Sequence, residues 1–201
     1  MALIEDGKTL GTTFESGGRQ THAAGLVQSV IAQCAGATEA MDAIIIGLGP
    51  GSYAGIRAGI AFAQGWQLAR QIKVAGVSSA ELIAVRCWRE SVRGPIDVAI
   101  DAQRGDFYLG SFDLSSEGLV ESRALRIVST DEIVRRTTAG GRVFGPDTIL
   151  QSLGGKHLFP VAEDVDRFSP EKLRWVDGST LQPIYLREPN FVKALPPRAL
   201  A

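Results

Sequence analysis

The stretch Ile44-Ile45-Ile46-Gly47-Leu48-Gly49-Pro50-Gly51-Ser52-Tyr53-Ala54-Gly55-Ile56-Arg57 decides how this chain folds. It predicts a buried strand, a glycine-rich turn and a long helix in direct succession. The continuous apolar run from Ala43 to Ile46 suits a strand covered on both faces of an α/β sheet. Three glycines and a proline between Gly47 and Gly51 force a sharp turn, and Ser52 is placed to cap the helix behind it. A helix N-terminus behind such a turn can hold an anion, so phosphate recognition is the first function to weigh.

The spacing speaks against the common phosphate motifs. A P-loop needs a lysine after its second glycine, and no lysine lies between Lys8 and Lys73. The dinucleotide pattern fails as well, because Ser52 stands where its third glycine belongs. A tight strand-to-helix connection is the favoured reading of the loop, with nucleotide contact second.

Outward from this loop, 201 residues suffice for one substantial domain or two small lobes. Hydrophobic residues at 45% and charged residues at 21% describe an ordinary globular protein able to build a core. A net charge of −1 supplies no global basic field for nucleic acid, so RNA contact needs a local patch or a basic partner. Cys34 and Cys87 are too isolated for a disulfide framework and suit buried reduced thiols. His22 and His157 lie far apart, without HExxH or cysteine ligands, which disfavours a zinc or iron site. Neither a secretory signal nor an apolar run of membrane-spanning length is present, and the simplest location is the cytoplasm.

Asp6-Gly7 between Ala2-Leu3-Ile4 and the extended run Lys8 to Phe14 signals a hairpin whose first strand is very short, as if the chain starts in mid-strand. Thr21 to Cys34 is expected as a helix, with Ala23, Val27, Val30, Ile31 and Cys34 on one stripe. The helix from Tyr53 to about Gln71 is crowded with small residues. Gly55, Gly59 and Gly65 each cost about 1 kcal/mol there relative to alanine, and close approach of another element would offset this. Phe62 and Trp66 form an apolar ridge, facing the core or another subunit. Ser78 and Glu81 form a capping box for a helix to about Glu90. Strands follow at Pro95–Ile100, Asp106–Phe112 and Leu119–Val128. Ser129-x-x-Glu132 then caps a helix ending at Gly140-Gly141, and Val143-Phe144 is a short strand. Short helices are expected after Gly145-Pro146-Asp147 and from Ser169-Pro170, and the tail from Leu195 is expected to be loose. The order read from the sequence passes from the second helix to the third with no strand between. Two α/β lobes follow, residues 1–90 and 91–201, meeting near Val77 to Pro95.

Five segments carry a family resemblance. Gly49-Pro50-Gly51-Ser52-Tyr53-Ala54-Gly55-Ile56-Arg57 closely resembles the signature GPGSFTGLR of the bacterial TsaB (YeaZ) family. Glu5-Asp6-Gly7-Lys8 resembles the family's second strand, and Val74-Ala75-Gly76-Val77-Ser78-Ser79 its GVSSLEA stretch. Asp101-Ala102-Gln103-Arg104-Gly105-Asp106-Phe107-Tyr108 resembles its DARRGEVY hairpin, and Pro183-Ile184-Tyr185-Leu186-Arg187 its PxYLR. The resemblance implies a two-lobed α/β fold of the actin, Hsp70 and sugar-kinase class. The family's first strand, similar to LALDTS, has no counterpart here, which implies a missing first N-terminal strand and a misassigned start.

The resemblance also implies a function: a non-catalytic subunit in making threonylcarbamoyladenosine beside the tRNA anticodon. The implied partners are a catalytic TsaD-type subunit and a TsaE-type ATPase. Contact with tRNA is expected only through the complex, and a homodimer is possible when the chain is alone. No cofactor is expected to bind tightly here, with ATP and metal on the partner subunits. The family pairs through its first two helices, which implies Val27, Val30, Ile31, Ile56, Gly59, Phe62 and Ala63 as partner-binding residues. Gly49, Pro50, Gly51, Ser52, Gly55 and Arg57 form the signature loop, and catalytic and metal residues are expected to be absent. One rival is an ATP-dependent small-molecule kinase of the same fold class, for which Asp101 could hold magnesium, although a turn-forming role is favoured. The other is a hydrolase such as a metallopeptidase, for which neither a ligand cluster nor a nucleophile elbow is present.

Overall fold

A computed structural model describes residues 1–14, 32, 41–168 and 173–187. Apart from Ala32, which is helical, the expected helix from Thr21 to Cys34 lies outside these residues, as do the one opening at Ser169-Pro170 and the tail from Leu195.

The hairpin forms as the Asp-Gly signal requires. β1 (Ala2–Glu5) pairs antiparallel with β2 (Lys8–Thr12). Asp6 and Gly7 both adopt positive φ, the backbone that a tight hairpin turn needs. The two strands form a sheet of their own, and Thr9 reaches Asp166 at 3.4 Å.

The apolar strand β3 (Ala43–Gly47) leads through the glycine loop into α1 (Tyr53–Arg70), which returns to β4 (Lys73–Val77). β3 and β4 are parallel, from Ala43 opposite Lys73 to Gly47 opposite Val77. Helix α1 buries Ile56, Ile60 and Ala63 against Val74 and Leu181, with Ile44, Ile46 and Leu48 alongside. The strand β4, absent from the order read in the sequence, is therefore the centre of this sheet. Its five residues are short, and Gly76 weakens the strand signal. Leu48 fills the space beside Gly76, where a Cβ would fall 2.3 Å from its side chain.

Helix α2 (Ser79–Arg89) follows at once, with Ser78 as its cap. Ser78 Oγ accepts from the Ala80 amide at 3.2 Å, and the Glu81 carboxyl accepts from the Ser78 backbone amide, the reciprocal half of the capping box. Two layers meet on this helix. Ala80, Ile83, Ala84 and Cys87 pack on Ile96, Val98, Phe112 and Leu114, while Leu82 joins Ala75, Val77 and Leu173 on the other side.

The larger sheet contains β5 (Gly94–Asp101), β6 (Asp106–Leu114) and β7 (Leu119–Ser129), followed by α3 (Thr130–Thr138), β8 (Val143–Gly145), α4 (Ile149–Ser152) and β9 (Lys156–His157). Its order is β7-β6-β5-β8-β9. Ser129 sits at the N-cap of α3 without a side-chain capping bond, so the second capping box is not formed. Glu132 instead binds Arg126 and Arg136, which offer charged donors in place of a backbone amide.

Past a 3-10 helix (Ala162–Arg167), the chain returns to the first half of the molecule. β10 (Trp175–Val176) pairs antiparallel with β4, and Gly178 is held by Gln64 and Gln67 of α1 at 2.9 and 2.7 Å. By sequence position β10 belongs to the expected second lobe, but its hydrogen bonds place it in the sheet of the first.

Candidate functional site

The glycine loop is a closed joint among the described residues. Gly49 adopts φ +92°, and a Cβ there would stand 2.6 Å from Ile56 Cδ1. Only glycine meets both demands without strain. Its carbonyl accepts from the Ser79 amide at 2.8 Å, and the Leu48 amide donates to Val77 O at 2.8 Å. Ser52 caps α1 as expected, its Oγ accepting from the Gly55 amide at 3.3 Å. Gly49 and Pro50 are buried, whereas Gly51, Ser52, Gly55 and Arg57 are exposed.

The same joint receives the end of the described chain. The Ile184 amide donates to Leu48 O at 2.9 Å. Tyr185 stacks on Tyr53 with ring centroids 5.3 Å apart, and the Arg57 guanidinium lies 4.4 Å from the Tyr53 centroid. Arg187 then pairs with Asp106 at 2.7 Å, across to the β5–β6 turn. In that turn Gln103, Arg104 and Gly105 all take positive φ, and Asp101 Oδ1 accepts from the Gln103 amide at 2.6 Å. Segments 44–57, 74–79, 101–108 and 183–187, far apart in sequence, thus converge on one junction between the two sheets. The Tyr53–Tyr185 stack was not anticipated. The signal for it was an aromatic residue in each of two motifs that the fold brings together.

Other candidates fall in different places. Ile56 and Ala63 are buried in the chain's own core, which removes them from any outer surface, and Gly59 and Phe62 are half-buried. Phe62 leans on Trp66 at 5.7 Å. The outward face of α1 is instead Ala54, Ala58, Ala61, Gly65 and Leu68, the last 87% exposed. Val27, Val30, Ile31 and His22 lie outside the described residues. Asp101 serves the turn, as its favoured reading holds. Cys87 is fully buried in α2, and burial pushes its thiol up to about 12, far from nucleophilic use. Among the described residues, acidic, cysteine and histidine side chains do not gather into a metal-binding group, and helices long and apolar enough to cross a membrane are absent.

Two ion networks brace this frame. Arg89 binds the buried Asp164 at 2.8 Å and Asp166 at 3.1 Å, tying α2 to the 3-10 helix. In the larger sheet, Arg136 bridges Asp97 at 2.7 Å and Glu132 at 3.0 Å. The Arg126 guanidinium, together with Arg136, holds the Glu132 carboxyl down to about 2.

Comparison with known proteins accords with this geometry. The family model described as TsaD, tRNA N6-adenosine threonylcarbamoyltransferase, matches residues 19–143. The tRNA threonylcarbamoyladenosine biosynthesis protein TsaB of Escherichia coli strain K12 is 28% identical over 190 residues, spanning 85% of this chain and 81% of its own. The TsaB protein of Bacillus subtilis strain 168 is 33% identical over 95 residues, 47% of this chain and 40% of its own. YeaZ from Pseudomonas aeruginosa shares the fold, with a TM-score of 0.75 at 24% identity and 92% coverage of each chain.

Proposed function

We propose a function for a chain that belongs to the TsaB (YeaZ) family, whose named members are tRNA threonylcarbamoyladenosine biosynthesis proteins: it is a non-catalytic subunit of that modification system. In this reading it binds and supports a TsaD-type catalytic subunit, which transfers the threonylcarbamoyl group to the adenosine beside the anticodon. The observation that carries it is the outward face of α1. Ala54, Ala58, Ala61 and Gly65 leave the helix backbone open to close approach, and Leu68 stands almost fully in water beside them. Such a face stabilises nothing within the described chain. It suits a partner helix packed at short distance, with Leu68 filling a hole on that partner.

The junction of segments 44–57, 74–79, 101–108 and 183–187 has a structural part in this proposal. It sets α1 against both sheets through short backbone hydrogen bonds and one arginine–carboxylate pair, so the helix is presented at a fixed angle. Proton transfer and nucleophilic attack are assigned to the partner, as are ATP and metal. The proposed location is the cytoplasm, where tRNA is modified.

The test is to mix the purified chain with the TsaD-type subunit of the same organism and follow both by size-exclusion chromatography with light scattering. A stable one-to-one complex is expected. Separate elution of both proteins at micromolar concentration would remove the supporting role.

A further inference from the structure

The described chain leaves off beside the start of α1, and it is pinned there. The Ile184 amide donates to Leu48 O, Tyr185 stacks on Tyr53, the first residue of α1, and Arg187 pairs with Asp106. From that end α1 runs to Arg70 with Ala54, Ala58, Ala61, Gly65 and Leu68 on its open side. Their alternating spacing keeps them on one line along the helix. Residues 188–201 lie outside the described residues, and their sequence opens Glu188-Pro189-Asn190-Phe191-Val192-Lys193-Ala194-Leu195. Phe191, Val192 and Leu195 thus set large apolar side chains just beyond the pinned Arg187. Fully extended, residues 188–201 reach up to about 45 Å, against about 22 Å from Tyr53 to Leu68 along α1. Charge gives little help. Glu188 favours, and Lys193 and Arg198 oppose, a helix whose charged residues are Arg57 and Arg70, so a contact here is apolar.

We propose that the segment from Glu188 to Leu195 folds back on the open side of α1, with Phe191, Val192 and Leu195 against the line from Ala54 to Leu68, and that the TsaD-type subunit must displace it. Alanine and glycine leave room on that line for an aromatic ring and two aliphatic chains to come out of water. The inference rests on the reading that α1 carries the partner, and it adds regulation of that same face by the chain's own tail. A segment anchored next to its target has an effective concentration on the order of millimolar. A contact with a dissociation constant of about 0.1 mM therefore covers the helix about nine-tenths of the time. The partner then finds the face free about one-tenth of the time, and its apparent affinity falls by about tenfold.

The experiment puts a thiol on the covered face, Ala61→Cys in a Cys34→Ser background, Cys87 being buried. Its labelling by dithiobisnitrobenzoate is followed in the full chain and in the full chain carrying Phe191→Ser, Val192→Ser and Leu195→Ser, each checked by thermal melting. Without the thiol substitutions, both forms are titrated with the TsaD-type subunit. Expected for the triple variant are labelling about tenfold faster and a dissociation constant about tenfold lower. Equal labelling of the two forms overturns the inference, whether both are fast because the face is bare or both slow because another segment or a second copy covers it. Faster labelling with an unchanged dissociation constant overturns it as well, since tail and partner then do not compete. Equal labelling with normal association strikes only this inference. Faster labelling in a chain that never associates with the subunit removes the supporting role and leaves the tail contact standing.

Discussion

Gly49 shows how much a single residue decides here. Its positive φ strains any other residue, and a Cβ there would stand 2.6 Å from Ile56 Cδ1 and push that side chain aside. Gly49→Ala is expected to cost about 1–3 kcal/mol and to loosen the start of α1, measured by urea denaturation. Glu132 contributes to acid behaviour. Its carboxyl lies below the ordinary 4.5, so its contribution is full above about that pH and fades as the pH falls toward about 2. Glu132→Gln is expected to lower the melting temperature at pH 7, with the gap to wild type closing between pH 4.5 and 2. A gap that stays constant across that window would contradict the assignment. At this scale the sequence was legible where a residue acts on its own neighbours, as with Ser52, Ser78 and the Asp6-Gly7 turn. It was silent on the Arg126–Glu132 and Arg136–Asp97 pairs, because these partners meet only where α3 packs on the sheet.

The element that matters most is α1, whose two faces have different duties. The inner face, Ile56, Ile60 and Ala63, is committed to β3 and β4, while Ala61 lies on the exposed side. Ala61→Arg is expected to fold with stability within about 0.5 kcal/mol of wild type and to abolish association with the TsaD-type subunit in a pull-down. Unchanged association would show that the partner sits elsewhere. The sequence signalled this helix clearly, through its cap and its crowd of small residues. It could not say which small residues face outward, because alanine and glycine occur on every side and leave no apolar stripe to read. β4 escaped for a related reason: its run is short and interrupted by the glycine that admits Leu48.

Over the whole molecule, the return of residues 173–187 is what joins the parts. β10 completes the sheet of β3 and β4, Ile184 bonds to Leu48, and Arg187 reaches the β5–β6 turn. Arg187→Ala is expected to raise amide hydrogen exchange at Ile184 while leaving the β5–β6 strands protected. Exchange unchanged at Ile184 would show that the ion pair is not what holds the segment. The α/β class and the order of most elements were legible from apolar runs and caps, but the crossing back of the last segment was not. Two-residue β10 has no periodicity to detect, and its place depends on pairing with β4 and on Gln64 and Gln67 of α1 holding Gly178 just beyond it. We propose that this protein supports threonylcarbamoyladenosine formation without catalysing it alone. The most direct measurement is nucleoside mass spectrometry of tRNA from cells depleted of the protein and rescued with wild type or Ala61→Arg. Depletion is expected to remove threonylcarbamoyladenosine, wild type to restore it and Ala61→Arg to leave it absent. Undiminished threonylcarbamoyladenosine in the depleted cells would contradict the proposal.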